Sequence, residues 1–94
     1  MGQIEHFLDR EGRVFAWPSR RRRSAQIEVL EYITARFEFG RDYTEKEVNA
    51  IILDTILISD YCVVRRELFE AGLLGRIKDG TRYWRIMPAP NAPQ

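Results

Sequence analysis

The chain has 94 residues, 45% of them hydrophobic and 31% charged, which is an ordinary balance for one small globular domain. Its one cysteine, Cys62, excludes an intramolecular disulfide, and with a single histidine the sequence predicts neither a bound metal nor a cofactor. Apolar runs are too short for a membrane span and no signal-peptide pattern opens the chain, so we expect a cytoplasmic protein.

The formal net charge is only +1, but the charges are unevenly distributed along the chain. Residues 10–24 contain six arginines against one acid, whereas residues 25–59 contain seven acids against three bases. Such asymmetry favours a positive surface on one side of the molecule, which is typical of domains that bind nucleic acid.

The N-terminal part predicts only short elements. Apolar residues at helical spacing indicate a short helix within residues 1–12. Arg13 to Trp17 alternate weakly and end at Pro18, so we expect a short strand here that adds to the C-terminal sheet. The Trp17 ring fits core packing better than ligand binding.

The first long helix begins between Ser19 and Ser24, and its apolar stripe is formed by Ile27, Leu30, Ile33 and Phe37. Guanidinium groups at the positive end of a helix dipole are unfavourable, so a run of them at this place favours phosphate binding. The alternative is a cluster of solvated charges. The candidate phosphate contacts are Arg20, Arg21, Arg22 and Arg23.

The start of the second helix has the clearest local signature in the chain. Thr44 and Glu47 have the spacing of a capping box, and Tyr43 and Val48 occupy the two positions of a hydrophobic staple. An apolar connector, Ile56–Ile58, leads from this helix to the third.

Residues 59–86, SDYCVVRRELFEAGLLGRIKDGTRYWRI, predict a helix, a glycine stop and a two-stranded hairpin. Ser59 or Asp60 caps a helix that runs to Ala71, and Gly72 ends it. The stripe of this helix that faces the core consists of Tyr61, Val64 and Leu68.

In the hairpin, Asp79-Gly80 predicts a type I′ turn, which places Gly75 opposite Trp84 and Arg76 opposite Tyr83. One face then carries Leu73, Gly75, Ile77, Arg82, Trp84 and Ile86, and we expect it to pack on the core. The other face would be basic and point outward, with Leu74, Arg76, Lys78, Thr81, Tyr83 and Arg85.

Three helices, a C-terminal hairpin and a short strand before the first helix predict an α+β winged helix-turn-helix domain over residues 1–87. Three prolines in the last eight residues predict a disordered tail at residues 88–94.

Four blocks of the sequence resemble the bacterial family named domain of unknown function 2087. They are WPSRRRR, YTEKEVNAII, D-x-x-x-V-R-R-E-L-x-x-A-G-L-L-G-R and DGTRYW, and the resemblance extends from Gly12 to Arg85. The family occurs alone and behind helix-turn-helix transcription regulators. The resemblance therefore implies a bacterial protein connected with transcription, although no activity is established for the family.

We expect a transcription-regulator domain that binds double-stranded DNA, since the third helix of a winged helix enters the major groove and its hairpin contacts the backbone. The candidate reading residues are Arg65 and Arg66, and the candidate wing contacts are Arg76, Lys78, Arg82 and Arg85. Glu67 and Glu70 on the reading helix weigh against this function, because they repel phosphates. The alternative is that Arg65 pairs with an acid of the second helix, and Arg66 with Glu70.

Two other functions remain open. The near-neutral charge and the apolar connector favour a module that binds another protein or a second copy of the chain. A thiol or small-molecule sensor built on Cys62 is a lesser alternative. The sequence contains no nucleophile elbow, phosphate loop, dinucleotide fingerprint or HExxH motif, so we do not expect an enzyme.

Overall fold

The structure, a computed structural model, describes residues 4–19, 21–57 and 60–86. After a short 3-10 helix at Ile4–Phe7 it contains α1 (Arg23–Thr34), β1 (Asp42–Tyr43), α2 (Glu45–Thr55), α3 (Tyr61–Glu70), β2 (Leu74–Arg76) and β3 (Tyr83–Arg85). In the sheet, β3 lies between β1 and β2 and is antiparallel to both. The predicted α+β fold is confirmed, and the order of the elements is that of a winged helix.

The predictions for Arg20, Ser59 and the tail at residues 88–94 concern positions outside the described ranges. Among the helices that are described, none is long and apolar enough to cross a membrane.

The core lies between the three helices and one face of the sheet. Its fully buried side chains include Val29, Leu30 and Ile33 from α1, Val48 and Ile52 from α2, Leu68 from α3 and Leu74 from β2. The stripe predicted for the first helix is confirmed at Leu30, Ile33 and Phe37, whereas Ile27 is only half-buried.

Helix α1 begins at Arg23, within the predicted interval. Arg22 is the N-cap residue and its side chain makes no capping hydrogen bond. The preceding segment is joined to the helix by Gln26, whose Nε2 donates to the carbonyl oxygen of Pro18 at 2.9 Å in a buried position. The arginine run therefore lies mainly ahead of the first helical turn.

Helix α2 begins as its sequence predicts. The Thr44 hydroxyl accepts from the backbone N–H of Glu47 at 3.1 Å, and the Glu47 carboxylate accepts from the N–H of Thr44 at 2.9 Å. Tyr43 and Val48, the two staple residues, are both buried. This reciprocal bonding satisfies two donors that would otherwise be left free at the start of the helix.

Helix α3 lies inside the predicted range of residues 59–71. Asp60 caps it, because its Oδ1 accepts from the backbone N–H of Val63 at 3.3 Å. At the other end Gly72 has a φ of 78°, and the N–H of Leu73 donates to the carbonyl oxygen of Leu68 at 3.0 Å. This is a Schellman motif, so the predicted glycine stop is confirmed.

The hairpin keeps the predicted register but closes through a different turn. A type I′ turn needs a positive φ at both central residues, and in this loop only Gly80 has one, at 76°. The Gly80 N–H donates to the carbonyl oxygen of Ile77 at 2.9 Å, and Asp79 Oδ1 accepts from the Thr81 hydroxyl and N–H. The hydroxyl bond above all, with the N–H bond, holds the pKa of Asp79 below its usual range.

The two faces of the hairpin are opposite to the predicted ones. Leu74 and Tyr83 are buried against the helices, whereas Trp84 is half-buried and Ile86 is exposed. Both faces carry apolar residues, so alternation alone did not distinguish the inner face from the outer. The predicted space for the Trp84 ring above Gly75 is present, but on the outer face of the sheet: a Cβ built on Gly75 would lie 2.5 Å from Trp84 Cε2.

The short extended segment ahead of α1 has a different partner from the one predicted. Val14 bridges Leu8 and Ile56, and its N–H donates to the carbonyl oxygen of Thr55 at 2.8 Å. The strand that completes the wing sheet is β1, which lies between α1 and α2. The placement of Arg13 to Trp17 in that sheet is therefore wrong, because Val14 bonds to Thr55 and Leu57 at the end of α2 and Phe15 bonds to Phe7.

Candidate nucleic-acid interface

Two hollows lie on either side of α3. The hairpin-side cavity, of about 340 Å³, is lined by Glu45, Cys62, Arg65, Arg66, Phe69, Arg76 and Tyr83. The α1-side cleft, of about 740 Å³, is lined by residues that include Trp17, Arg23, Val63, Arg66 and Glu67. Because Arg66 lines both, one exposed side chain joins the two hollows across the helix.

Arg65 and Arg66 occupy adjacent positions on α3 but have different surroundings. Arg65 is half-buried, and its Nη1 donates to Oδ1 of Asn49 on α2. The alternative considered for Arg65 was an acid of the second helix, and the partner is a neutral amide of that helix. Arg66 is exposed, and within the described residues no ion pair joins it to Glu70.

The hairpin contributes Arg76 to the same surface. Since Arg76 lies on the inner face of β2 with Leu74, its side chain extends towards α3, and its guanidinium carbon lies 4.5 Å from the ring centroid of Phe69. Phe69 is 38% exposed and serves as a platform for this cation–π contact. The sequence analysis did not identify this contact, because no local pattern connects the two residues.

Of the arginine run, Arg23 reaches α3. Its Nη1 lies 3.3 Å from Oε1 of Glu67 and 2.8 Å from Oε1 of Gln26. Arg22 lies over the ring of Phe7, 5.4 Å from its centroid, and Arg21 is exposed. The ion pair between Arg23 and Glu67 offsets the negative charge of Glu67, one of the two acids on α3 that weigh against phosphate binding.

The remaining wing residues lie apart from α3. Lys78 is exposed in the hairpin loop, and Arg82 Nη1 lies 3.4 Å from Oδ2 of Asp42 on β1. Arg85 lies at the opposite end of β3, with its guanidinium 3.9 Å from the ring centroid of Phe39. Among the described candidates, Arg23, Arg65, Arg66 and Arg76 therefore lie around α3, whereas the other residues of the wing make their contacts elsewhere.

We define the α3 surface as the four arginines that line the two hollows, together with Glu45 and Glu67. The arginines are Arg23, Arg65, Arg66 and Arg76. Glu45, at the first position of α2, was not predicted as part of the site, because the fold alone brings it beside α3. Four positive charges against two negative ones leave this surface positive, although the whole chain is almost neutral.

A family model described as an uncharacterized protein conserved in bacteria (DUF2087) matches residues 13–85. The match covers most of the chain, so the protein belongs to this family, and the resemblance of its sequence blocks is confirmed. Searches of curated proteins and of solved structures gave no significant match.

Proposed function

We propose that this member of the DUF2087 family binds double-stranded DNA, with α3 in the major groove and the flanking arginines on backbone phosphates. The observation that carries the proposal is the α3 surface, where arginines from α1, α3 and β2 meet across one helix. Binding to DNA requires positive side chains that neutralise phosphates together. The winged-helix order of elements supports α3 as the helix that enters the groove.

Arg66 is the residue best placed to contact a base. It is exposed in the middle of α3, and Cys62 and Phe69 lie one turn before and after it on the same side. An arginine that holds guanine O6 and N7 contributes about 1–3 kcal/mol of discrimination between bases. Arg23, Arg65 and Arg76 would then hold the phosphates on either side of the groove.

The two acids of α3 do not oppose this function equally. Glu67 is paired with Arg23, so its repulsion of phosphates is reduced. Glu70 is exposed in the last helical turn, beyond Arg66, and it is the acid that would face DNA with least compensation. The proposal assigns no catalytic step to any of these side chains.

Fluorescence anisotropy with a labelled random duplex, measured across a series of salt concentrations, tests the proposal. A random duplex offers no defined base to Arg66, so its guanidinium would lie on a phosphate as the other three do, and Arg66→Ala should weaken binding about tenfold and reduce the slope of log affinity against log salt by about 0.9. The matched control is Arg36→Ala, which removes the same charge from an exposed ion pair with Asp54. Arg36 follows the far end of α1, whose 12 residues span about 18 Å.

The control variant should bind as the wild type does. The proposal fails if the wild type shows no binding at low salt, or if Arg36→Ala weakens binding as much as Arg66→Ala. Circular dichroism of both variants establishes that each is folded.

A second candidate function, contact with another protein or a second copy of the chain, is favoured by one observation. Where Val14 bridges Ile56, the next residues in each segment, Phe15 and Leu57, are 49% and 52% exposed. Such a pair of large apolar side chains on an outer edge is typical of a contact surface. If duplex DNA does not bind, this edge is the surface on which to seek a partner.

A further inference from the structure

The hairpin-side cavity has a property beyond its place in the α3 surface: two of its three arginines are positioned by neutral groups. Arg65 is bonded to the amide oxygen of Asn49, and Arg76 lies over the ring of Phe69. Three other arginines of the described residues form ion pairs, Arg23–Glu67, Arg36–Asp54 and Arg82–Asp42, which partly neutralise their charges. The cavity arginines are thus oriented while their charges stay available to a ligand.

The charge and shape of the cavity indicate which ligand it suits. Three guanidinium groups and one carboxylate, that of Glu45, line it, so an anion with two negative charges would balance the excess. Arginine forks match the oxygens of a phosphate group and bind it through paired hydrogen bonds. A phosphomonoester carries nearly two charges at pH 7.5, because its second pKa is about 6.

The size of the cavity indicates an organic phosphate rather than the inorganic ion. Its volume of about 340 Å³ lies within the range of small-molecule sites, roughly 300–1,000 Å³. Phe69 and Tyr83 line it beside the arginines and offer apolar surface to the rest of such a molecule. A site that combines guanidinium groups with aromatic rings can hold both the charged and the apolar part of one ligand.

We propose that the hairpin-side cavity binds a small phosphomonoester, with the phosphate on Arg65, Arg66 and Arg76 and the organic part against Phe69 and Tyr83. Because Arg65, Arg66 and Arg76 also belong to the α3 surface, a bound ligand would displace DNA from this surface. That antagonism rests on the proposed function, whereas the binding of the ligand does not.

Cys62 provides a local reporter for the test. It is the only cysteine of the chain, it is exposed, and it lines this cavity. The rate at which iodoacetamide alkylates Cys62, followed by mass spectrometry, therefore measures whether the cavity is open. Phenyl phosphate is the probe, and phenol and inorganic phosphate are tested beside it.

Phenyl phosphate at about ten times its dissociation constant should slow alkylation about tenfold, since roughly a tenth of the cavities stay open. Phenol should give no protection, and inorganic phosphate should need a higher concentration. Arg76→Ala should raise the concentration for half-protection about tenfold or more, the usual effect of losing a hydrogen bond to a charged group. Arg36→Ala, which leaves the cavity intact, should respond as the wild type does.

Absence of protection in the wild type would overturn the proposal, as would equal protection by phenol. Equal protection by inorganic phosphate would overturn the assignment of an organic ligand. Anisotropy with labelled duplex, with and without phenyl phosphate, separates the two proposals. Protection of Cys62 without any duplex binding refutes the DNA function and leaves the ligand site. Duplex binding without protection of Cys62 refutes the ligand site and leaves the DNA function.

Discussion

Replacing Gly75 by alanine tests how the outer face of the hairpin is packed. The new Cβ would lie 2.5 Å from Cε2, 2.6 Å from Nε1 and 2.7 Å from Cζ2 of Trp84. Carbon atoms that are not bonded prefer separations of about 3.5–4.0 Å, so the ring must move by roughly 1 Å or more. Gly75 does not have a positive φ, so the backbone itself accepts alanine, and the nearest obstacle to the new Cβ is the ring of Trp84.

The half-buried position of Trp84 sets the size of the effect, because the ring can swing into solvent. Losing about 100 Å² of buried ring surface, roughly half of what a tryptophan buries, costs about 2.5 kcal/mol at about 25 cal/mol per Å². Gly75→Ala should therefore lower the free energy of unfolding by about 1–3 kcal/mol. With Trp84→Ala already present, the same change should stabilise by about 0.4–1 kcal/mol, because alanine restricts the unfolded chain.

Urea unfolding followed by far-ultraviolet circular dichroism measures all four members of this double-mutant cycle with one probe. Trp84→Leu provides a second background if Trp84→Ala is too unstable to analyse. The sign of the Gly75→Ala effect should reverse between the two backgrounds. If alanine at position 75 costs the same with and without the Trp84 ring, the packing described here is wrong.

Two further predictions concern caps and turns. Thr44→Ala should lower the free energy of unfolding by about 1 kcal/mol, because the backbone N–H of Glu47 loses its acceptor at the start of α2. Thr44→Ser should keep most of the stability, since its hydroxyl can accept the same bond. An unchanged urea midpoint in Thr44→Ala would contradict the capping box. The pKa of Asp79 is depressed in the folded protein, so its hydrogen bonds from Thr81 stabilise the fold at pH values above the unfolded pKa of about 3.9. This stabilisation is lost as the pH falls through the lower pKa of the folded state. An NMR titration of the Asp79 carboxyl group should give a higher pKa in Thr81→Ala than in the wild type, because the hydroxyl bond is lost while the backbone N–H bond of residue 81 remains.

The sequence predicted those elements whose ends are fixed by interactions between residues close together in the chain. Thr44 and Glu47 determine the start of α2 through two local hydrogen bonds, and Gly72 ends α3 through its positive φ. In each case the interaction joins residues at most five positions apart, so a local pattern contains all the information required. The register of the hairpin was predictable because Asp79-Gly80 lies at the centre of the loop, although the loop closes through a different turn from the predicted one.

The same local patterns could not predict which face of the hairpin is buried. Its strands are only three residues long, and apolar residues occur on both sides, so alternation gives two consistent answers. The choice depends on how the chain leaves α3, which brings Leu74 against the core. Strand β1 was missed because two residues, Asp42 and Tyr43, show no periodicity, and its pairing with β3 joins distant parts of the chain.

The inversion of the hairpin faces decides which basic residues can act together. Had Arg76 pointed outward with Lys78, as predicted, the wing would present its charges to solvent away from α3. On the inner face, Arg76 instead lies over Phe69 and shares a cavity with Arg65 and Arg66. Four of the ten candidate contacts, the arginines of the α3 surface, therefore lie around one helix.

The number of basic residues that contact phosphates sets the salt dependence of DNA binding. With all ten basic residues on phosphates, log affinity would fall against log salt with a slope of about −9, whereas four contacts give about −3.6. A measured slope near −3.6 supports the α3 surface as the DNA-binding site. A slope near −9 would contradict the restriction of the contacts to the α3 surface, because Lys78, Arg82 and Arg85 would then have to contact DNA as well.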